Sequence, residues 1–232
     1  MGETFGPATI EQLGKRLNEP SWLTDLRRKA WAAHATLPWP HPSDDIWRRT
    51  DVTLLDPARG FAPAVPELLT KVALSDDQIA ACTRPLGDEQ LVARVNGAWL
   101  TEARPDPITV EELQAAAHAH PEPVRRLLEA DGFTEAEQKL TSLNAAFHHD
   151  GLVVRVPAHC SGARPLRLVR VFVVSPQQAV FPLTVITIGA GSAVTLIDES
   201  ISVSDAPGPG APHLVNGRIE IVLEQDSSLH YV

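Results

Sequence analysis

The side chains best suited to chemistry in this chain are the imidazoles and the thiol of His148, His149, His159 and Cys160. Imidazole nitrogen and thiolate sulfur are ligands for zinc, copper and iron, so this grouping is the candidate metal centre. Adjacent residues on a strand point to opposite faces, and no Asp/Glu–His spacing of a known site accompanies them. The residues therefore read first as turn and corner positions at the surface and only second as ligands. Asp198, Glu199, Glu220 and Glu224 are carboxylates that acid–base work would use in pairs. Glu220 and Glu224 share strand parity and alternate with Ile219, Ile221 and Leu223, which marks them as the solvated side of a strand. Ser161 and Ser192 have neither a histidine at a suggestive spacing nor a nucleophile elbow around them. The glycine-rich "IGAGSA" at 188–193 lies between two strand-like runs and lacks the helix amino terminus of a phosphate loop. Trp22, Trp31, Trp39 and Trp47 recur every eight or nine residues, as core of the amino-terminal region or as a partner surface. Trp39, between two prolines, is the candidate exposed member.

The elements that must position these groups change period along the chain. Residues 1–147 read as a mostly helical region with a small β-hairpin. "SWLTDLRRKAWAAHATL" sets Trp22, Leu23, Leu26, Ala30 and Ala33 along one helical face, with Ser21 as the cap and "PWPHP" as the stop. Arg27, Arg28 and Lys29 then read as its solvated face. Capping boxes open two more helices, at Thr109 with Glu112 and at Thr134 with Glu137. "PEPVRRLLEADG" reads as a short helix with Gly132 past its end. "LVARVNGAWL" reads as a hairpin turning at Asn96-Gly97.

Residues 148–232 carry strand patterns instead: "LVVRV", "LRLVRVFVV", "LTVITI", "AVTLID", "RIEIVL" and "LHYV". Within them "ITIGAGSAVTLI" at 186–197 aligns without gaps on "IVLEQDSSLHYV" at 221–232, an offset of 221 − 186 = 35. "LVVRVPAHCSGARPLRLV" reads as a looser earlier copy, and "SVSDAPGPGAPHLVN" as an insertion that lengthens one coil. A strand that bends at a small corner and continues as a strand builds a coil of a β-solenoid, paired to its neighbours by parallel ladders. An antiparallel sandwich has similar short strands, but these corners are lean in hairpin dipeptides. The expected fold is α+β: a helical amino-terminal region, then the first coils of a right-handed parallel β-helix, truncated so that the last coil lacks a successor.

Composition bounds the function. The 232 residues are 44% hydrophobic and 21% charged, and the net charge of −9 disfavours a nucleic-acid partner. Two cysteines are too few for a disulfide framework. No apolar run is long enough for a membrane span, and none near the amino terminus suits a signal peptide, so the expected compartment is the cytoplasm.

"EPSWLTDLRRKAW", "LPWP" and "IWRRTDV", followed by "SLNAAFHHDGLVVRVP", "RPLRLV", "AVTLIDES" and "NGRIEIVLEQDSSLHYV", resemble in order the SufD-type iron–sulfur cluster assembly proteins of the SufB/SufD family. Trp47, Arg48, Thr50 and Asp51 favour the SufD branch. The resemblance runs from about residue 19 to the end and implies a non-enzymatic scaffold subunit. Such a subunit pairs with a SufB-like subunit through its β-helix and recruits a SufC-like ATPase, the iron–sulfur cluster being held only by the full complex. The regions that carry the cluster-related interface and ATPase docking in that family lie beyond the part resembled here, so no site residue carries over. The resemblance implies no cofactor for this segment. Edge-to-edge self-association is a further expectation. The competing reading is a small metal-binding or hydrolytic β-rich enzyme using His148, His149 and His159.

Overall fold

The computed structural model describes residues 5–41, 43–56, 60–63, 74–101, 105–129, 133–174, 177–204 and 213–232. Two helices, α1 (Pro7–Arg16) and α2 (Ser21–Thr36), open the chain. Pro20 takes the cap position of α2 and no side chain caps it, so Ser21 stands one residue inside the helix. The buried stripe of α2 contains Leu23, Arg27 and His34. Arg27 is therefore not on a solvated face. It lies fully buried in a bidentate pair with Glu19 (2.8 and 2.5 Å) and donates to the Ala146 carbonyl at 3.1 Å. Its long aliphatic stem and forked donors let it tie the α1–α2 connection to a neighbouring helix end, which an amphipathic wheel does not reveal.

Helix α3 (Asp76–Cys82) starts at a Ser75–Gln78 capping box. Strand β1 is the pair Ala62–Pro63. Strands β2 (Gln90–Val95) and β3 (Ala98–Trp99) form the expected hairpin, with Asn96 and Gly97 both at positive φ (48° and 87°), the geometry such a turn requires. The expected helix start at Thr109 is corrected: Thr109–Glu112 is strand β4, and α4 (Leu113–Ala119) begins after it. Ladder pairing outcompetes local capping there, since β4 covers an otherwise open sheet edge by antiparallel bonding. Helix α5 (Pro121–Leu128) has proline in its first turn; Gly132 lies outside the described residues. Helix α6 (Glu135–Phe147) does open at Thr134 and Glu137, whose carboxylate accepts from the Thr134 amide at 3.0 Å and hydroxyl at 2.7 Å.

After α6 the strands come in circuits: β5 (Asp150–Val156), β6 (Leu166–Val174), β7 (Gln178–Val180), then β8 (Pro182–Ile188), β9 (Ala193–Ser204), β10 (Leu214–Val215), then β11 (Arg218–Leu223) and β12 (Ser228–Tyr231). The first strands of each circuit pair with one another (β5, β8, β11), as do the second (β6, β9, β12) and the third (β7, β10), always in parallel. Three sheets result, extended by β4 on β5, β2 and β3 on β6, and β1 on β7. The fold is thus mixed α/β with parallel and mixed sheets, and the antiparallel sandwich is excluded.

The sequence offset is also the structural register: Ile221 pairs with Ile186, and Tyr231 with Leu196. In the earlier circuit Val154 pairs with Ile186, an offset of 186 − 154 = 32, and Leu166 with Leu196, an offset of 196 − 166 = 30. That two-residue drift across one corner is what makes the earlier copy look loose. The chain between β9 and β10 lies largely outside the described residues.

Between the sheets, Val92, Val154, Val156, Leu168, Ile186, Ile188, Val194 and Leu196 form one apolar core. Helices α2, α4 and α5 cover the outer residues Val153, Leu183 and Val185, and Cys82 packs with Val169, Val171 and Val173. Coverage on both faces explains why β5, β6 and β8 read as near-continuous apolar runs.

The corners stack as closely as the strands. A Cβ on Gly189 would lie 2.5 Å from the Ala158 nitrogen, and Gly191, at φ 67°, lies against the His159 ring. "IGAGSA" is therefore a corner nested under the preceding corner.

Candidate functional site

The four metal-type residues are divided between the two ends of β5. His148 and His149 precede it and His159 and Cys160 follow it, so roughly 20 Å of strand separates the pairs. Among the described residues no three His, Cys, Asp or Glu side chains are placed to hold an ion. His159 is exposed at its corner with φ 58°, and Cys160 is buried. The surface placement expected for His148 and His149 is corrected: they are only 2% and 6% exposed. The connection from α6 to β5 is squeezed between helix and sheet, so both rings face protein.

His148 Nδ1 lies 3.2 Å from the Ala145 carbonyl, so it carries the proton and donates. Nε2 is then a bare acceptor, and it has no partner among the described residues. Burial holds the His148 pKa well below the ordinary imidazole value, helped by the Arg27 and Arg218 cations. Burial likewise pushes His149 down to about 4, against the opposing pull of Asp150.

Three of the four carboxylates are paired with cations. Glu199 accepts from Arg167 at 3.1 and 2.8 Å. Asp198 lies 3.3 Å from Arg170 and accepts from the Tyr231 hydroxyl at 2.8 Å. Glu220 is not on a solvated side as expected; it is largely buried and paired with Arg218 at 2.5 Å. Glu224, beyond the end of β11, is exposed and accepts from the Ala190 amide at 3.1 Å.

Sequence reasoning missed a buried charge ladder that crosses the sheets. Arg94, Asp150, Arg170 and Asp198 alternate in sign, each side chain at most 5% exposed. The Asp150 carboxylate sits 3.3 Å from Arg94 and 3.9 Å from Arg170, compensated in charge but without an aligned hydrogen bond. Arg170 also donates to the Thr184 hydroxyl, and Arg94 to the Gly97 carbonyl. The available signal was Arg94 and Arg170 at inward parity within otherwise apolar strands.

Ser192 stitches two corners together, donating to the Pro157 carbonyl at 2.7 Å and accepting from the Cys160 amide at 3.0 Å. Ser161 makes an isolated parallel bridge with Ala193. Trp39 is half-buried, edge-on to His34 and 5.2 Å from the Lys139 ammonium. That ammonium caps the end of α2 through the His34 and Leu37 carbonyls at 2.6 and 2.8 Å. Trp22, Trp31 and Trp47 are half-buried too, and Trp99, in the hairpin, is exposed.

Two surfaces remain with unsatisfied recognition capacity. The first is the sheet edge formed by β10, β11 and β12, each paired on one side only among the described strands. Ile219, Ile221 and Leu223 continue the inner rows of Thr184, Ile186 and Ile188, yet are 39%, 41% and 52% exposed. The edge thus combines free backbone groups with an apolar row. The second is a cavity of about 220 Å³ between α2, the ends of α5 and α6, and β8 and β11. Leu23, Leu26, Ala30, Ala33 and Leu183 form its walls, and His148, Lys29 and Arg218 are its polar lining together with Glu129. No helix among the described residues is long and apolar enough to cross a membrane.

Residues 13–168 match the family described as SufBD protein N-terminal region. The chain is also 25% identical over 197 residues to the iron-sulfur cluster assembly protein SufD of Bacillus subtilis (strain 168), an alignment covering 83% of this chain and 44% of that protein. The chain therefore spans less than half the length of this curated relative.

Proposed function

Because this chain belongs to the SufBD protein N-terminal region family, we propose that it serves iron–sulfur cluster assembly as a SufD-type, non-catalytic scaffold in the cytoplasm. In this reading the sheet circuits are the first coils of a right-handed parallel β-helix. The helices brace one side of those coils, and the cluster is cargo of an assembled complex rather than a resident of this segment. The partners are a SufB-like subunit and a SufC-like ATPase.

The observation that carries the reading is the parallel pairing of successive circuits, β5 with β8 with β11 and β6 with β9 with β12.

Affinity purification of the full-length protein from its own cells tests the proposal. A SufB-like and a SufC-like subunit are expected in stoichiometric amounts. Recovery of the protein with neither subunit, under conditions that keep it folded, overturns the scaffold reading.

A further inference from the structure

The tripeptide Val-Asn-Gly occurs twice, at 95–97 in the β2–β3 turn and at 215–217 in the connection from β10 to β11. Asparagine before glycine is prone to spontaneous deamidation, because glycine has no side chain to shield its amide nitrogen from the neighbouring carboxamide carbon. With the same residue on each side of the asparagine, intrinsic reactivity is matched and only the fold sets the two sites apart.

Asn96 is 8% exposed, and the Val173 backbone holds its carboxamide at both ends. Oδ1 accepts from the Val173 amide at 2.9 Å and Nδ2 donates to the Val173 carbonyl at 3.1 Å, both bonds buried. Asn216 is half-buried and Gly217 exposed. Its Nδ2 donates to the Leu140 carbonyl of α6 at 2.9 Å, and its carbonyl accepts from Asn144 at 2.7 Å, both bonds partly exposed. Among the described residues its Oδ1 accepts no hydrogen bond and the Gly217 amide donates none. Turning the side-chain carbon towards the next nitrogen breaks these bonds at either site. At Asn96 that leaves the Val173 N–H and C=O bare in the interior, which is costly. At Asn216 water replaces the lost partners.

We propose that Asn216 is a site of spontaneous modification in the folded protein, with water as the only co-reactant, and that Asn96 is protected from it. The Gly217 nitrogen attacks Asn216 Cγ, and the new N–C bond closes a succinimide ring. The Cγ–Nδ2 bond breaks, and ammonia leaves with the proton shed by Gly217. Water then opens the ring at either carbonyl, giving aspartate or isoaspartate. Either product removes the donor to Leu140 and sets a carboxylate beside that carbonyl. Isoaspartate also adds a methylene to the main chain just before Arg218. Both changes loosen β11 from α6 and from its first pairing, Arg218 with Leu183.

The test is incubation of the full-length protein at mildly alkaline pH, followed by peptide mapping with electron-transfer fragmentation, which separates asparagine, aspartate and isoaspartate at each position. In urea, with both tripeptides unfolded, residues 96 and 216 should convert at closely similar rates. In the folded protein residue 216 should convert at least about tenfold faster than residue 96. Gly217→Ala shields the attacking nitrogen and should slow conversion of Asn216 several-fold. Its methyl would lie 3.6 Å from Pro182 Cγ on backbone that is not left-handed, so the variant keeps the fold. Asn216→Asp reproduces one product throughout the sample; it should lower Tm by about 2–4 °C and speed hydrogen exchange in β11. Protection of Asn216 equal to that of Asn96 in the folded protein overturns the proposal, and so does conversion of Gly217→Ala at the wild-type rate. Wild-type melting and exchange in Asn216→Asp would overturn the loosening of β11.

Discussion

Gly189→Ala bears most directly on the stacked corners. The added Cβ would fall 2.5 Å from the Ala158 nitrogen, 2.8 Å from the Pro157 carbonyl carbon and 2.9 Å from the Ala158 Cα. All three are backbone atoms, so no side chain can rotate away, and the two corners must separate. The Ser192 hydroxyl spans the same gap, bonded to both Pro157 and Cys160. Overpacking of this kind costs about 1–3 kcal/mol, and a weakened buried hydrogen bond adds about 1 kcal/mol. The total of about 2–4 kcal/mol corresponds to a fall in Tm of roughly 5–15 °C for a chain of this size. Gly87→Ala is the control: its nearest foreign atom is 3.8 Å away and its backbone is not left-handed. That change should be neutral, or stabilising by about 0.4–1 kcal/mol through the unfolded chain. Thermal melts followed by far-ultraviolet circular dichroism separate the two. If Gly189→Ala melts within about 1 °C of the wild type, the corners do not stack as described.

Arg27→Met strands the fully buried Glu19 carboxylate and should cost about 3–5 kcal/mol in urea unfolding. Adding Glu19→Gln should restore most of it; equal losses in the single and double variants would show that Arg27 acts by packing alone. The histidines set a pH dependence. Both are held neutral in the fold, His148 well below 6.5 and His149 down to about 4, while the unfolded chain takes up protons near 6.5. The unfolded state therefore binds more protons in this window, so stability is full above about pH 6.5 and falls as the pH drops towards 4. His149→Gln should flatten that slope by an amount on the order of 3 kcal/mol across the window, read from urea midpoints between about pH 7 and pH 4.5. An unchanged slope would place His149 in contact with water.

The strands were legible in the sequence because their period is short and their copies repeat. The 35-residue offset even carried the register, since inward positions of parallel neighbours must hold side chains of the same kind. The short strands β1, β7 and β10 were not, for two or three residues show no period. Thr109 and Glu112 spelled a helix cap, and only the neighbouring edge of β5 decided otherwise. Burial of charge was the least legible feature. Arg27 and Lys139 each reach carbonyls more than a hundred residues away, contacts that a helical wheel does not contain. His148 and His149 looked like turn residues because polar pairs beside Asp-Gly usually are. Here α6 packs directly on the sheets and closes over the connection, a tertiary fact with no local signature.

The ladder of Arg94, Asp150, Arg170 and Asp198 bears on how such a repeat keeps one register. Rows of Val, Ile and Leu along β6, β8 and β9 would tolerate a slip of two residues, about 7 Å, because the same faces would still be apolar. The charges do not tolerate it. A slip between β6 and β9 that moves Asp198 further from Arg170 breaks that ion pair and leaves Asp198 buried with the Tyr231 hydroxyl but without its cation. Removing one member of a buried pair costs about 3–5 kcal/mol, comparable with the net stability of many domains. Tyr231 extends the ladder onto β12, where its hydroxyl meets Asp198 and sits beside the open edge. The apolar rows thus provide the drive to stack and the ion pairs select the alignment. A strand received against β12 would meet a surface whose register is already fixed by the circuits beneath it.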